Sequence, residues 1–311
     1  MKIQELKDIF SEGTFKGEMK FMEPMSNHTS LKIGGPADVY AAPQDVPSLS
    51  SMHMHLEKKH VPFFPLGGGT NILVRDGGME GTVISLRSLK KIEPVKEDNE
   101  SLYLFVEAGA PLQKLVSYSR ENGYSGIEGL AGIPGTVGGA ICGNSGAFGY
   151  EMKDVLVSVE IMDPGGKVLV VKAEELEFGY RHSGIPHNAL LLSAEIKLRK
   201  DKKEAVSARV ENFLKIKRQT QPIWEHSAGC VFKNPPGLSA GKLIDGAGCK
   251  GMRIGDAEVS SIHANFFINK GKASASDFIM LMKEVAGRIK ERFNVVLEPE
   301  IQIVGRERDN G

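Results

Sequence analysis

The chain has 311 residues, with 39 Lys+Arg against 39 Asp+Glu and 41% hydrophobic content, which suits two or three packed domains and excludes a disordered tail protein. Zero formal net charge with both signs interspersed leaves no basic stripe to track a phosphate backbone, so nucleic acid is not expected as a partner. The N-terminal MKIQELKDIF is charged where a secretory signal needs an apolar stretch, and no run of about 18 apolar residues follows, so a cytoplasmic protein without membrane insertion is expected.

In chain order, the first two-thirds reads as short strands mixed with helices. Ala37 to Tyr40 is a predicted strand, Val46 to Lys59 a helix, Val61 to Leu66 a buried strand, and Gly81 to Leu86 another. Leu102 to Ala108 follows as a strand and Pro111 to Glu121 as a helix, with proline at its start and Gly123 just past its end. Val155 to Met162 and Lys167 to Lys172 flank Asp163-Pro164-Gly165-Gly166, a hairpin signal. The alternating strand Leu190 to Leu198 then gives way to the charge run Arg199 to Glu204. A boundary is expected there, dividing residues 1–202 from a smaller C-terminal domain, 203–311. Beyond it, Val206, Val210, Phe213 and Leu214 share one helix face, and Ser276 to Phe293 repeats that spacing. Between these helices, Cys230 to Lys233, Lys242 to Ile244 and Phe266 to Asn269 read as strand, helix and strand, and Val295 to Val304 as a closing strand. The class is α+β, without internal repeats.

The 36 glycines gather in three places: Gly67-Gly68-Gly69-Thr70-Asn71, the stretch Gly126 to Gly149, and the region Gly237 to Gly255. Glycine is costly to order, so such clusters mark backbone that takes positive φ or lies close to a ligand. A strandless loop as long as the second is usually functional. Cys142, Cys230 and Cys249 form an odd set without CxxC spacing and are expected as free thiols.

Three motif matches fail on physical grounds. Gly246 to Gly251 fits G-x-G-x-x-G but follows a helix-like segment instead of a buried strand. Gly237-Leu238-Ser239-Ala240-Gly241 fits G-x-S-x-G, with Asp256 and His263 in hydrolase order, but Pro235-Pro236 stands where a central strand should run. His53, His55 and His60 could ligate a metal, yet their spacing on a helix scatters them over different faces, and they read as surface histidines. No metal site is expected.

Thr29 to Ala37, Leu66 to Val74, Gly129 to Gly149, Gly179-Tyr180-Arg181-His182-Ser183, Ser227 to Pro235 and Leu297 to Ile301 occur in that order. Together they span nearly the whole chain. In this order they resemble the UDP-N-acetylenolpyruvoylglucosamine reductase family, flavoenzymes of peptidoglycan precursor synthesis. The resemblance implies a vanillyl-alcohol-oxidase-type fold in which two α/β lobes within 1–202 hold FAD and the C-terminal domain covers the substrate. Glycine-rich turns suit this, since successive backbone N–H groups form anion sites for a pyrophosphate without lysines. The cofactor positions implied are Gly67, Gly68, Gly69, Thr70 and Asn71, then Gly132, Ile133, Pro134, Gly135, Thr136, Gly138 and Gly139, with Asn144 and Gly146.

The implied reaction is NADPH reduction of the flavin followed by reduction of an enolpyruvyl UDP-sugar in the same pocket. Arg181, matching the family's Tyr-Arg-x-Ser motif, would hold the substrate carboxylate, because a guanidinium binds carboxylate bidentately as charge develops. Glu300 matches the second catalytic position, near the chain's end, where it helps only if protonated or strongly coupled to Arg181. The third is a departure: Ser227-Ala228-Gly229-Cys230 puts a thiol where the family pattern has a serine proton donor. Tyr180 and Asn234 would contact substrate, Lys217 and Arg218 its diphosphate, and His263 and Asn265 would line the site. The extended substrate loop of some members is absent, since Arg181 leads by way of His187 directly to the Leu190 strand. No oligomeric partner is implied. Another FAD-dependent oxidoreductase of the same fold, or a hydrolase based on Ser239, are the competing readings.

Overall fold

The computed structural model describes residues 15–186 and 189–308. MKIQELKDIF and His187, on which two of the expectations above rest, lie outside the described residues. Chain contacts collect into two interleaved units instead of one cut after residue 202. The first comprises Met1–Phe21, Val39–Gly68 and Gly81–Ile216; the second Met22–Asp38, Gly69–Glu80 and Lys217–Gly311.

The first unit carries two sheets around one apolar core. One sheet orders strands Gly17–Pro24, Pro36–Pro43, Met79–Ser85 and Phe63–Leu66, the last pair parallel from Phe63↔Thr82 to Leu66↔Ser85. The other is antiparallel, in the order Val168–Lys172, Leu156–Met162, Leu190–Lys200, Ser101–Glu107, Ile92–Glu97. Helix α1 (Val46–Lys58) starts where the Asp45 carboxylate accepts the Ser48 N–H at 2.8 Å, an N-cap that satisfies an orphan donor. Helix α2 (Leu112–Asn122) ends at Gly123, φ 72°. Leu49, Leu56, Leu104, Leu115 and Ile196 are fully buried in the shared core.

Two expectations in this unit need correction. The second glycine stretch is not strandless: it holds a 3-10 turn (Glu128–Leu130), helix α3 (Val137–Cys142) and the short strand Gly146–Ala147. Backbone that could not be left unpaired in a compact fold is organised by side chains flanking the glycines. Nor is His53 on the surface. It is fully buried against Phe63, with ring centroids 4.9 Å apart, because the apolar face of α1 runs through position 53 beside Leu49, Met52 and Leu56.

The first unit ends in helix α4 (Lys203–Thr220), whose last residues belong to the second. The second unit has a sheet in the order His226–Cys230, Phe266–Asn269, Ala257–Val259, Arg253–Ile254, with helices α5 (Ala240–Gly246) and α6 (Ala275–Phe293). Ser274 and Asp277 close a reciprocal capping box at the start of α6. Phe267, Phe278, Leu281 and Ile289 are fully buried in this unit's own core. The strand expected over Cys230 to Lys233 lies earlier, at His226–Cys230. Of the closing run, only Gln302–Val304 is a strand, parallel to Ile72–Val74; Pro299 makes an isolated bridge to Phe232. Pro299 has no N–H to donate, which breaks the ladder just before Glu300.

Candidate active site

In the first unit the two glycine turns meet. A Cβ built on Gly67 would lie 2.5 Å from Thr136 Oγ1, so any side chain there would collide with the buried threonine. Thr136 itself caps α3, its hydroxyl accepting the Gly139 N–H at 3.3 Å. Gln113, on α2, braces the turn from behind: its Nε2 donates to the carbonyls of Leu130 (3.1 Å) and Ile133 (2.7 Å), and its Oε1 accepts the Gly132 N–H (2.8 Å). The Gly138 N–H goes to the Ala108 carbonyl at 2.8 Å. These glycines therefore shape the backbone, and several of their N–H groups are already used within the protein. Arg87, which the sequence reading missed, donates from Nη2 to the Gly68 carbonyl at 2.7 Å and from Nε to that of Gly67 at 3.3 Å. Nothing in Ser85-Leu86-Arg87 marks it; only the return of the chain to the turn does.

Tyr180 and Arg181 form the tip of a tight turn. Gly179 and His182 exchange backbone hydrogen bonds at 3.0 and 3.2 Å, and Arg181 sits at φ 59°, a left-handed conformation that costs a non-glycine residue about 1 kcal/mol. The guanidinium lies over the Tyr180 ring, 4.9 Å from its centroid. Asn144 is buried, and its Nδ2 donates to the Gly179 carbonyl at 3.1 Å.

The second unit assembles its residues by backbone pairing. Gly229, at φ 77°, lies where the register of His226–Cys230 against Phe266–Asn269 shifts between Ser227 and Cys230. A bulge of this kind re-aims the following side chain, and only glycine takes that φ without strain. Next to Cys230, the Val231 carbonyl accepts the Glu300 N–H and the Val231 N–H donates to the Asn265 carbonyl, both at 2.8 Å. Asn265 is buried; its side chain accepts the Phe232 N–H at 3.0 Å and donates to the Phe232 carbonyl at 2.8 Å. Asn71 closes the group, donating from Nδ2 to the Glu300 carbonyl at 3.2 Å. Thus Asn71, Asn265 and Glu300, far apart in sequence, are joined through Val231, the residue after Cys230, in one hydrogen-bond network.

Asn234 is exposed and accepts the Ala240 N–H at 3.0 Å, so it fixes the start of α5. His263 Nδ1 accepts the Asn265 N–H at 3.2 Å; burial first, then the Lys250 charge, lowers its pKa. Lys217 is 5% exposed, and burial pulls its ammonium down to about 8, whereas its neighbour Arg218 is exposed. Ser239 is the N-cap of α5, its oxygen accepting the Lys242 N–H at 3.3 Å. No strand leads into it, so the nucleophile elbow is absent there.

Residues 37–172 match the FAD binding domain family, and residues 221–304 match the UDP-N-acetylenolpyruvoylglucosamine reductase C-terminal domain. The chain is 40% identical over 290 residues to the UDP-N-acetylenolpyruvoylglucosamine reductase of Geotalea uraniireducens, covering 93% of this chain and 95% of the relative. It is 38% identical over 311 residues to that of Syntrophus aciditrophicus, covering 99% and 100%. The crystal structure of the enzyme from Thermus caldophilus superposes with a TM-score of 0.78 at 34% identity, over 94% of this chain and all of that one. The α+β, FAD-binding fold expected from the sequence holds, and the chain belongs to the UDP-N-acetylenolpyruvoylglucosamine reductase family.

Proposed function

We propose that the protein uses NADPH and FAD to reduce the enolpyruvyl group of UDP-N-acetylglucosamine enolpyruvate to UDP-N-acetylmuramate. The observation that carries this reading is the backbone pairing of Glu300 with Val231, the residue after Cys230, which brings two motifs of the family together. The first unit fits FAD: Gly67 and Gly138 leave no room for a side chain, so bare backbone, which binds a pyrophosphate through its N–H groups, lies at these turns, and the exposed Arg87 guanidinium adds a cation at the first. When bound, FAD supplies electron transfer from NADPH to the enolpyruvyl double bond.

The protein's own residues do the rest. Arg181 holds the substrate carboxylate as negative charge develops beside it. Cys230 Sγ gives the proton to C2; a free thiol, with an ordinary pKa of roughly 8.5, is a readier donor than a serine hydroxyl. Glu300 bears on the same carboxylate, Tyr180 and Asn234 on the sugar, and Lys217 and Arg218 on the diphosphate. The first unit serves the cofactor and contributes Tyr180 and Arg181 to the substrate, and the rest of the substrate's contacts come from 217–311, with Glu300 just ahead of the terminal strand Gln302–Val304. NADPH and a UDP-sugar are both cytoplasmic metabolites, which supports a cytoplasmic location; no helix among the described residues is long and apolar enough to cross a membrane.

The test is the colour of the purified protein. A yellow preparation that bleaches with NADPH and recolours only on addition of the enolpyruvyl substrate supports the reading. Recolouring by oxygen alone, with the substrate inert, points to an oxidase on the same fold and overturns it.

A further inference from the structure

The residue assigned to the substrate carboxylate stands at a left-handed position of its turn, and behind that turn lie Glu151, which has no assigned role, and Asn144, which the family resemblance places at the cofactor. Asn144 takes a left-handed conformation itself, at φ 38°, and is 1% exposed. Its Nδ2 has two hydrogens. One goes to the Gly179 carbonyl at 3.1 Å, the other to Glu151 Oε2 at 3.0 Å, while its Oδ1 accepts the Lys153 N–H at 3.1 Å. With both donors committed inside the protein, the side chain has none left for a cofactor.

Glu151 is fixed in turn. Its Oε2 receives Lys153 Nζ at 2.7 Å as well as the Asn144 amide, and its N–H donates to Asp154 Oδ2 at 2.9 Å. Its pKa is lowered, chiefly by the Lys153 hydrogen bond, with the Asn144 amide contributing and the Arg181 charge also acting on it. A chain of contacts runs from Glu151 through Asn144 to the Gly179 carbonyl, which also accepts the His182 N–H across the Arg181 turn at 3.2 Å. A turn with arginine at a left-handed position persists only where its surroundings over-determine it.

We infer that Asn144 and Glu151 are positioning residues that hold the Arg181 turn in its strained form and set the direction of the guanidinium, an inference that rests on the assignment of Arg181 to the substrate carboxylate. Asn144 fixes the backbone at the base of the turn. Glu151 orients Asn144 by accepting its amide N–H, and so acts on the arginine through the turn.

The test compares the two half-reactions in Asn144→Ala and Glu151→Gln, each made alone and together with Arg181→Ala. Either single variant should keep its flavin absorbance and bleach with NADPH within about twofold of the parent, while substrate reduction falls about 10- to 100-fold, mainly in kcat. Added to Arg181→Ala, neither should have further effect beyond about twofold, because a residue that acts through another cannot act in its absence. Glu151→Gln keeps the side chain's shape at a half-exposed site, so it decides the matter if Asn144→Ala does not fold. Loss of flavin, equal slowing of both half-reactions, or additive losses in the double variants would overturn the inference and leave the role of Arg181 intact. If Arg181→Ala alone reduces substrate at the parent rate, the assignment of Arg181 fails and the positioning role falls with it.

Discussion

The two units hold their functional residues by opposite means. In the second, Val231, the residue after Cys230, is tied main chain to main chain to Glu300 and to Asn265. In the first, Arg181 stands at the tip of a turn at φ 59°, held by a polar side-chain network. A ladder tolerates loss of a side chain because its bonds are main-chain. A strained turn depends on each polar neighbour, since an unpaired buried amide is costly and the turn has a relaxed alternative. Substitutions in the second unit should therefore remove chemistry cleanly, whereas those around Arg181 should displace it.

The largest expected effect tests the clean side of that contrast. Cys230→Ala should leave NADPH oxidation normal and block substrate reduction by several orders of magnitude, while Cys230→Ser retains substantial activity; stopped-flow absorbance of the flavin separates the two stages. Substrate reduction by Cys230→Ala at the parent rate would mean the proton comes from elsewhere. Asn265→Ala attacks the ladder itself by stranding the Phe232 N–H and carbonyl. It should cost about 2–4 kcal/mol in urea unfolding.

A pH series at Lys217 sharpens the comparison further. Burial lowers its pKa to about 8, so the cation that would meet the diphosphate is present below that pH and lost above it. KM for the UDP-substrate should rise as pH increases through about 8, by roughly tenfold, and Lys217→Met should raise KM and flatten the profile. The smallest effect concerns stability. His53 is buried with neither ring nitrogen hydrogen-bonded, and burial lowers its pKa against the opposing charges of Glu57 and Asp163. The unfolded chain binds the proton more readily, so stability should fall as pH drops below roughly 6.5 and be regained above it. His53→Leu should reduce that acid loss, measured as the shift of Tm with pH.

How much of this was legible in the sequence follows the same division. Helices α1, α2 and α6 fell within a residue or two of their expected ends because proline, Gly123 and the apolar spacing mark them locally. The free thiols and the hairpin at Asp163–Gly166 were equally local. The ladder was not. Joining Asn71, Val231, Asn265 and Glu300 depends on pairings between residues far apart in sequence, Asn71 and Glu300 by 229 residues, which no spacing rule encodes. Arg87 and Gln113 were missed for a related reason: an exposed arginine and a helical glutamine look ordinary until the chain returns to them. His53 was misplaced because a His-x-His pattern says which face each residue takes, but not which face is buried.

The most direct test of the account is the pair Glu300→Gln and Arg181→Ala in single-turnover stopped-flow, with the protein loaded with FAD. If both residues act on charge that appears only on the substrate, bleaching by NADPH stays within a few-fold of the parent, and recolouring by the enolpyruvyl substrate slows by about a thousandfold or more in each variant. Equal slowing of bleaching and recolouring would contradict the account, because it would mean that both residues serve the flavin and not the substrate.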